Sequence, residues 1–343
     1  MADLVVREHI SLRPYTTLKV GGTARYLIDA HTEEEVVAAV EFAHERQLPL
    51  FILGAGSNVL VADGEYAGVV LRVLITNTRT IDKVSGDTIL YTVGAGEDLD
   101  TVIADTIEQG WWGMENLSAI PSSIGAVPVQ NVGAYGVEAS QLIVAVRVFN
   151  RGTNSIELWS REQCQFAYRD SIFKHIPGCQ AIVLSVTFAL STTPTPRLTY
   201  KDLLDYFGST TPTQKEIRDA VISIRSKKFP DWRAIGTAGS FFKNPIISAE
   251  EAESLKQQYA DLPIYETDAI DKKKISLGFV LDKICHRRGY QEGNVSLYEH
   301  QALVLCVVPH TDAQAVIDFA KKITEAVFLA THISIEWEVV LLS

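Results

Sequence analysis

Apolar and polar positions alternate between two periods along this chain, so helices and strands are expected to interleave. Thr32-Glu33-Glu34-Glu35 reads as a capping box, with a carboxylate three residues after the cap. The helix it opens is predicted to reach about residue 47, and the apolar run 48–53 that follows predicts a buried strand. Further strands are expected at 69–74 and 88–93, and residues 98–109 have helical composition. From Trp111 to Gly136 the period is lost and Gly113, Pro121, Gly125, Pro128, Gly133 and Gly136 punctuate the chain. A long irregular stretch inside a compact chain usually serves function. Strands resume at 144–149 and 181–190, and Ser191-Thr192-Thr193-Pro194-Thr195-Pro196 reads as a linker. Beyond it Ile217, Val221 and Ile224 fall at helical spacing, and Phe229-Pro230-Asp231 ends that helix. Ser248 with Glu251 and Thr311 with Gln314 are two further capping boxes. Strands are expected at 303–308 and 333–342. The pattern is α/β or α+β, with a domain boundary near Lys228.

Composition narrows the class. A chain of 343 residues corresponds to about two domains. Apolar residues make up 47% and charged ones 21%, a globular balance. The 31 Lys and Arg against 42 Asp and Glu leave a net charge of −11, which argues against nucleic-acid binding but leaves room for a locally basic pocket. Met1-Ala2-Asp3-Leu4 carries an early acid and no apolar stretch, so no secretory signal is expected, and no run is long enough for a membrane span. Cys164, Cys179, Cys285 and Cys306 show no C-x-x-C spacing, which fits reduced thiols in a cytoplasm. The histidines form no HExxH, and no metal site is expected.

Five segments could carry chemistry. Gly54-Ala55-Gly56-Ser57-Asn58 follows a strand, and its backbone N–H groups could close on a phosphate or simply form a turn. Residues 120–126 and 130–136 offer amides and hydroxyls but few charges, which suits either a planar hydrogen-bonding ligand such as a flavin or an ordinary packed loop. Arg169, between Tyr168 and Asp170, is either half of a structural ion pair or a fork for a carboxylate. Ser240, preceded by Gly239, lacks an evident His or Asp partner, so it is a poor nucleophile but could give a proton to a basic carbanion. Glu336 and Glu338 share one face of the expected last strand.

Six stretches occur in a fixed order: LGAGSNVL, ENLSAIPSSIGAVPVQNVGAYGVE, YRDSIFK, LTYKDL, AGSFFKNP and QALVL. In that order they resemble the UDP-N-acetylenolpyruvoylglucosamine reductase family, in its longer form, from about Tyr15 to Glu338. The resemblance implies an α+β architecture: an FAD-binding fold of the vanillyl-alcohol-oxidase type in two subdomains, then an α+β substrate domain. The expected ranges are 1–78 and 79–228 for the two subdomains and 229–331 for the substrate domain, with the strand at 332–343 returning to the second subdomain.

The same resemblance implies a reaction and a site. NADPH reduces FAD, and the flavin then reduces UDP-N-acetylglucosamine enolpyruvate to UDP-N-acetylmuramate for bacterial cell-wall synthesis. Gly54, Ala55, Gly56, Ser57 and Asn58 would hold the pyrophosphate. Ser118, Ile120, Pro121, Ser122 and Ser123, with Gln130, Asn131, Gly133, Ala134 and Tyr135, would surround the rest of the flavin. Arg169 and a protonated Glu338 would stabilise the enediolate, and Ser240 would protonate C2. Tyr168, Tyr200, Lys228, Asn244 and Gln301 would bind substrate. A single pocket serving NADPH and substrate in turn implies ping-pong kinetics, and the acidic surface suits a monomer. Ser122, Phe279, Tyr298 and Val340 stand where the family usually has Gly, Trp, His and Arg. Two other readings remain open on the residues alone, an oxygen-using flavin oxidase and a non-catalytic nucleotide-sugar binder.

Overall fold

The computed structural model describes residues 4–76, 78–83, 86–267 and 269–343, so Met1 to Asp3, where the signal-peptide reading begins, lie outside the described residues. The chain folds as two compact units. One takes Met1–Ile10, Ala24–Gly56 and Tyr66–Arg225; the other takes Ser11–Thr23, Ser57–Glu65 and Ser226–Ser343.

The first unit holds two sheets. In one, the strands run in the order Val6–Ser11, Thr23–Ala30, Glu65–Val73 and Leu50–Ile52, the last two parallel with Leu50 opposite Val69. The other has five strands in the order Ser155–Ser160, Ile143–Asn150, Ala181–Ser191, Thr88–Gly94 and Arg79–Lys83, each neighbour antiparallel. Both sheets feed one core, in which Ile28, Val69 and Leu71 join Val93, Val146 and Phe188, all fully buried. Each such side chain contributes roughly 1.5–3 kcal/mol by leaving water. The helices Glu33–Glu45 and Leu99–Glu108 cover this core through Val36, Ala39, Val102 and Ile103. The helices Lys201–Phe207 and Gln214–Lys228 build a smaller cluster, with Leu203, Ile217, Ala220 and Val221 packed on Trp112 and Tyr135.

The second unit pairs Ile246–Ser248, Lys272–Ile275 and Ile264–Glu266 in one antiparallel sheet, and Gln291–Glu292, Val295–Leu297 and Leu305–Val307 in another. Its longest helix, Ala313–Thr331, buries Val316, Phe319, Ala320 and Ile323. Val340–Leu342 pairs in parallel with Val59–Val61.

Several expectations shift. The last strand begins at Val340 rather than 333, because Phe242 bridges Trp337 and the run before Val340 is irregular. Its partner is Val59–Val61, within 1–78, and not a strand of 79–228. The capping box at Ser248 and Glu251 forms in full. At Thr311 it does not: that hydroxyl donates to the Val308 carbonyl at 2.6 Å, and the helix opens at Asp312. Its first N–H groups, on Ala313 and Gln314, instead donate to the Asp63 carboxylate at 3.0 and 2.9 Å. At Thr32 half the box forms, since Glu35 accepts from the His31 amide instead of from the cap's own.

Candidate active site

In the first unit, the loop after Leu50–Ile52 meets the loop that follows Ala119. A side chain on Gly54 would come within 2.8 Å of Ser123 Oγ and 3.3 Å of Ala126 Cβ, so glycine lets the two loops approach closely without turning the Ser123 hydroxyl aside. Among the described residues the N–H groups of Gly54, Ala55, Gly56, Ile120 and Ser123 donate to no protein acceptor. Backbone amides left open on facing glycine and serine loops are suited to oxygen atoms of an anionic cofactor. Ser122 is nearly buried, and its hydroxyl donates to the Ser123 carbonyl at 3.2 Å. Ser118 is fully buried, with its hydroxyl on the Glu115 carbonyl at 2.7 Å.

The stretch 130–136 is fastened by polar side chains. Asn131, in the left-handed region at φ 42°, donates to Glu138 Oε2 at 3.0 Å and to the Ala167 carbonyl at 2.9 Å, and accepts from the Ser140 amide at 2.9 Å. Its amide is thus committed to the protein. Gln130 Oε1 accepts from Lys174, which also donates to the Arg169 carbonyl at 2.7 Å. Arg169 is itself left-handed at φ 52°, and its Nη2 donates to the Gly133 carbonyl at 2.7 Å. A side chain on Gly133 would come within 3.1 Å of that guanidinium. The guanidinium also lies 5.5 Å from the Tyr168 ring centre. Asp170 turns to His175 at 2.8 Å. Burial works against the charge of Asp170, but the His175 bond and the Ser171 amide outweigh it and lower its pKa. Tyr135, at φ 50°, meets Tyr200 edge-on at 5.4 Å.

The second unit gathers the serine and the terminal glutamate. Phe241 donates to the Leu303 carbonyl at 2.8 Å and Ser240 bridges Val304, which fixes the serine on an extended run. On the other edge of that run the Glu338 amide donates to the Phe241 carbonyl at 2.8 Å. Asn58 holds the same glutamate from behind. Its Nδ2 donates to the Glu338 carbonyl, and its own carbonyl accepts from the Val340 amide, each at 3.0 Å. Glu336, by contrast, is exposed and pairs with Lys243 at 3.0 Å. Asn244 Oδ1 accepts from the Leu277 amide at 2.9 Å, and Gln301 Oε1 lies 3.1 Å from the place a Gly278 side chain would take. Lys228 sits half-buried at the end of Gln214–Lys228. Ser57 and Asn58 belong to this unit and Gly54 to Gly56 to the other, so the unit boundary cuts the glycine loop.

Sequence reasoning missed four polar residues. Glu115 is 1% exposed, accepts from the Gly113 amide at 2.8 Å, and burial raises its carboxyl above the usual range. Asp100, Arg218 and Arg225 surround the 119–135 stretch. Only the seven-residue spacing of the two arginines along a predicted helix signalled that they share a face.

Among the described residues no helix is long and apolar enough to cross a membrane, and no group of three or more His, Cys, Asp or Glu side chains could hold a metal ion. Comparison with known proteins matches residues 24–156 to the FAD binding domain family and residues 230–342 to the C-terminal domain of UDP-N-acetylenolpyruvoylglucosamine reductase. Curated proteins bearing that reductase name are similar along their whole length. The one from Cupriavidus pinatubonensis is 38% identical over 100% of both chains, and that from Neisseria meningitidis serogroup B is 37% identical over 97% of this chain and 96% of its own. The Pseudomonas fluorescens protein is 34% identical over 98% of each. The crystal structure of the corresponding reductase from Thermus caldophilus superposes with a TM-score of 0.70 over 99% of this chain and all of its own, at 24% identity, a likeness of fold.

Proposed function

This chain belongs to the UDP-N-acetylenolpyruvoylglucosamine reductase family, and on that premise we propose how its residues serve the reaction. It is an FAD enzyme that reduces UDP-N-acetylglucosamine enolpyruvate to UDP-N-acetylmuramate at the expense of NADPH, for peptidoglycan precursors. FAD held by the glycine and serine loops would supply the hydride-carrier chemistry between NADPH and C3 of the enolpyruvyl group.

The loops at 54–56 and 118–123 hold FAD through their open amides, with the Gly54 cradle against Ser123 supporting that assignment. Ser57 and Asn58 complete the pyrophosphate loop by their main chain, since the Asn58 amide is turned to Glu338. Gln130, Asn131, Gly133, Ala134 and Tyr135 shape the flavin surround mainly as backbone. Addition of hydride at C3 leaves an electron pair at C2, delocalised onto the substrate carboxylate. Arg169 stabilises that charge as a cation, and a protonated Glu338 does so by donating a hydrogen bond. Ser240 Oγ–H then transfers its proton to C2, forming the C–H bond, and the alkoxide is re-protonated from solvent. Tyr168, Tyr200, Lys228, Asn244 and Gln301 hold the nucleotide and sugar, Lys228 as a point charge for the diphosphate.

The observation that carries this reading is the pairing of Phe241 with Glu338, which sets the serine and the glutamate on adjoining runs of backbone. Replacement Ser240→Ala should slow re-oxidation of the reduced enzyme by substrate by about 10²-fold or more, the usual weight of a positioned proton donor, and leave reduction by NADPH near the native rate. Single-turnover kinetics of each half-reaction checks this, and equal loss in both would contradict the proton-donor role. We also place the enzyme in the cytoplasm as a monomer, supported by its four free cysteines and its acidic charge.

A further inference from the structure

We propose that the helix Gln214–Lys228 is a splint for the flavin-holding stretch 119–135, and that Asp100, gripped by Arg218, is a positioning residue for FAD. The helix places Gln214, Arg218, Val221 and Arg225 at successive turns of one face. Val221 is fully buried against the cluster that includes Trp112 and Tyr135, so the face is anchored by packing before any polar contact is counted.

From that anchored face two arginines act on two of the three left-handed points of the stretch, Ala119 through Asp100 and Tyr135 directly, the third point being Asn131. Arg218 grips Asp100 in a bidentate pair at 2.6 and 2.9 Å, and Asp100 Oδ1 also accepts the Ala119 amide at 2.6 Å. The Arg225 guanidinium interacts electrostatically with the side chain of Tyr135. Ala119 lies at φ 59° and Tyr135 at φ 50°, the left-handed region that a residue with a side chain enters only at a cost in energy. Such a conformation persists only where its surroundings impose it. Here one rigid element imposes it at both places.

The position of Ala119 makes the constraint consequential. It immediately precedes Ile120-Pro121-Ser122-Ser123, where the amides of Ile120 and Ser123 lack a protein acceptor and Ser123 Oγ faces Gly54. Releasing the Ala119 amide would let this backbone relax to an ordinary φ and turn those donors away. A surface ion pair would do little, but the Asp100–Arg218 pair is partly shielded, with the arginine and aspartate side chains 17% and 32% exposed, and it ends on a backbone amide.

The inference rests on the reading of 118–123 as a flavin loop, and the test separates the two. FAD release from the holoenzyme is followed by flavin fluorescence for Asp100→Ala, Asp100→Asn and Arg218→Lys, alongside the visible circular dichroism of the bound flavin. Ser123→Tyr tests the loop itself. Asp100→Ala should release FAD about tenfold faster and change the dichroism. Asp100→Asn keeps an acceptor for Ala119 and should give about a threefold effect, as should Arg218→Lys, which loses the fork. If Asp100→Ala does not fold, these two milder variants carry the test. A lowered melting temperature with native release rates and a native flavin spectrum would overturn the proposal, because a merely structural pair would behave so. Ser123→Tyr without effect on release would overturn the loop assignment instead.

Discussion

Glu115 shows what a single residue's surroundings do to its chemistry. It is 1% exposed, and the Gly113 amide at 2.8 Å only partly offsets the cost of burying its charge, so burial raises its pKa. An acid whose native pKa exceeds its unfolded one holds its proton more tightly when folded. Stability is therefore full below the ordinary carboxylate value near about 4.3 and falls as pH rises toward the native value. Glu115→Gln removes that loss and keeps an acceptor for Gly113. The variant should match or exceed the native protein in stability at pH 8, and the difference should shrink below about pH 4. Urea unfolding across that range checks this; parallel stability curves for the two proteins would contradict it. The ENLSAIPSS motif pointed to this segment, but no spacing in it announces that its acid is buried. Asn131 and Ser118 teach the same lesson from the other side. Both were expected around the flavin, and their side chains are turned to protein partners, an arrangement that only three-dimensional contacts disclose.

Elements were legible where their signals are local. Ser248 and Glu251 are three residues apart and cap the helix Ala249–Gln258 as expected. The helix near 313 was equally legible as an amphipathic run, but its cap was not, because the capping carboxylate lies 250 positions away in sequence at Asp63. Asp63 satisfies two of the four open amides at that end and also places negative charge at the positive end of the helix dipole. Asp63→Ala should cost about 1–2 kcal/mol in unfolding free energy, and Asp63→Asn less. A loss below about 0.3 kcal/mol in denaturant unfolding would show that water replaces the carboxylate. The last strand was over-read for a related reason. Alternation from 333 onward persists in burial, with Ile333, Ile335 and Val339 inside, while strand pairing is confined to Val340–Leu342. Periodicity reports which side chains are buried, not which backbone groups pair.

Across the whole molecule, the order of motifs pointed to the family; LGAGSNVL and ENLSAIPSSIGAVPVQNVGAYGVE fall in the FAD-binding match and AGSFFKNP and QALVL in the C-terminal match, while YRDSIFK and LTYKDL lie between the two. The discontinuous build of the units was not legible. Ser11–Thr23 and Ser57–Glu65 belong with Ser226–Ser343, since Leu18, Val20 and Leu60 lie in one core with Phe241 and Leu305. Such pairing joins segments far apart in sequence, Ser57–Glu65 and Ser11–Thr23 with Ser226–Ser343, which no local pattern encodes. Tyr168, Arg169 and Tyr200 lie in one unit, and Ser240, Asn244, Gln301 and Glu338 in the other. The central claim is that this chain passes electrons from NADPH through FAD to the enolpyruvyl substrate, and one anaerobic stopped-flow experiment tests it directly. The purified holoenzyme is mixed with NADPH and then with UDP-N-acetylglucosamine enolpyruvate while flavin absorbance is followed near about 450 nm. Bleaching by NADPH and full recovery on adding substrate, without oxygen, is the predicted result. A flavin that NADPH leaves oxidised, or that only oxygen re-oxidises, would contradict it.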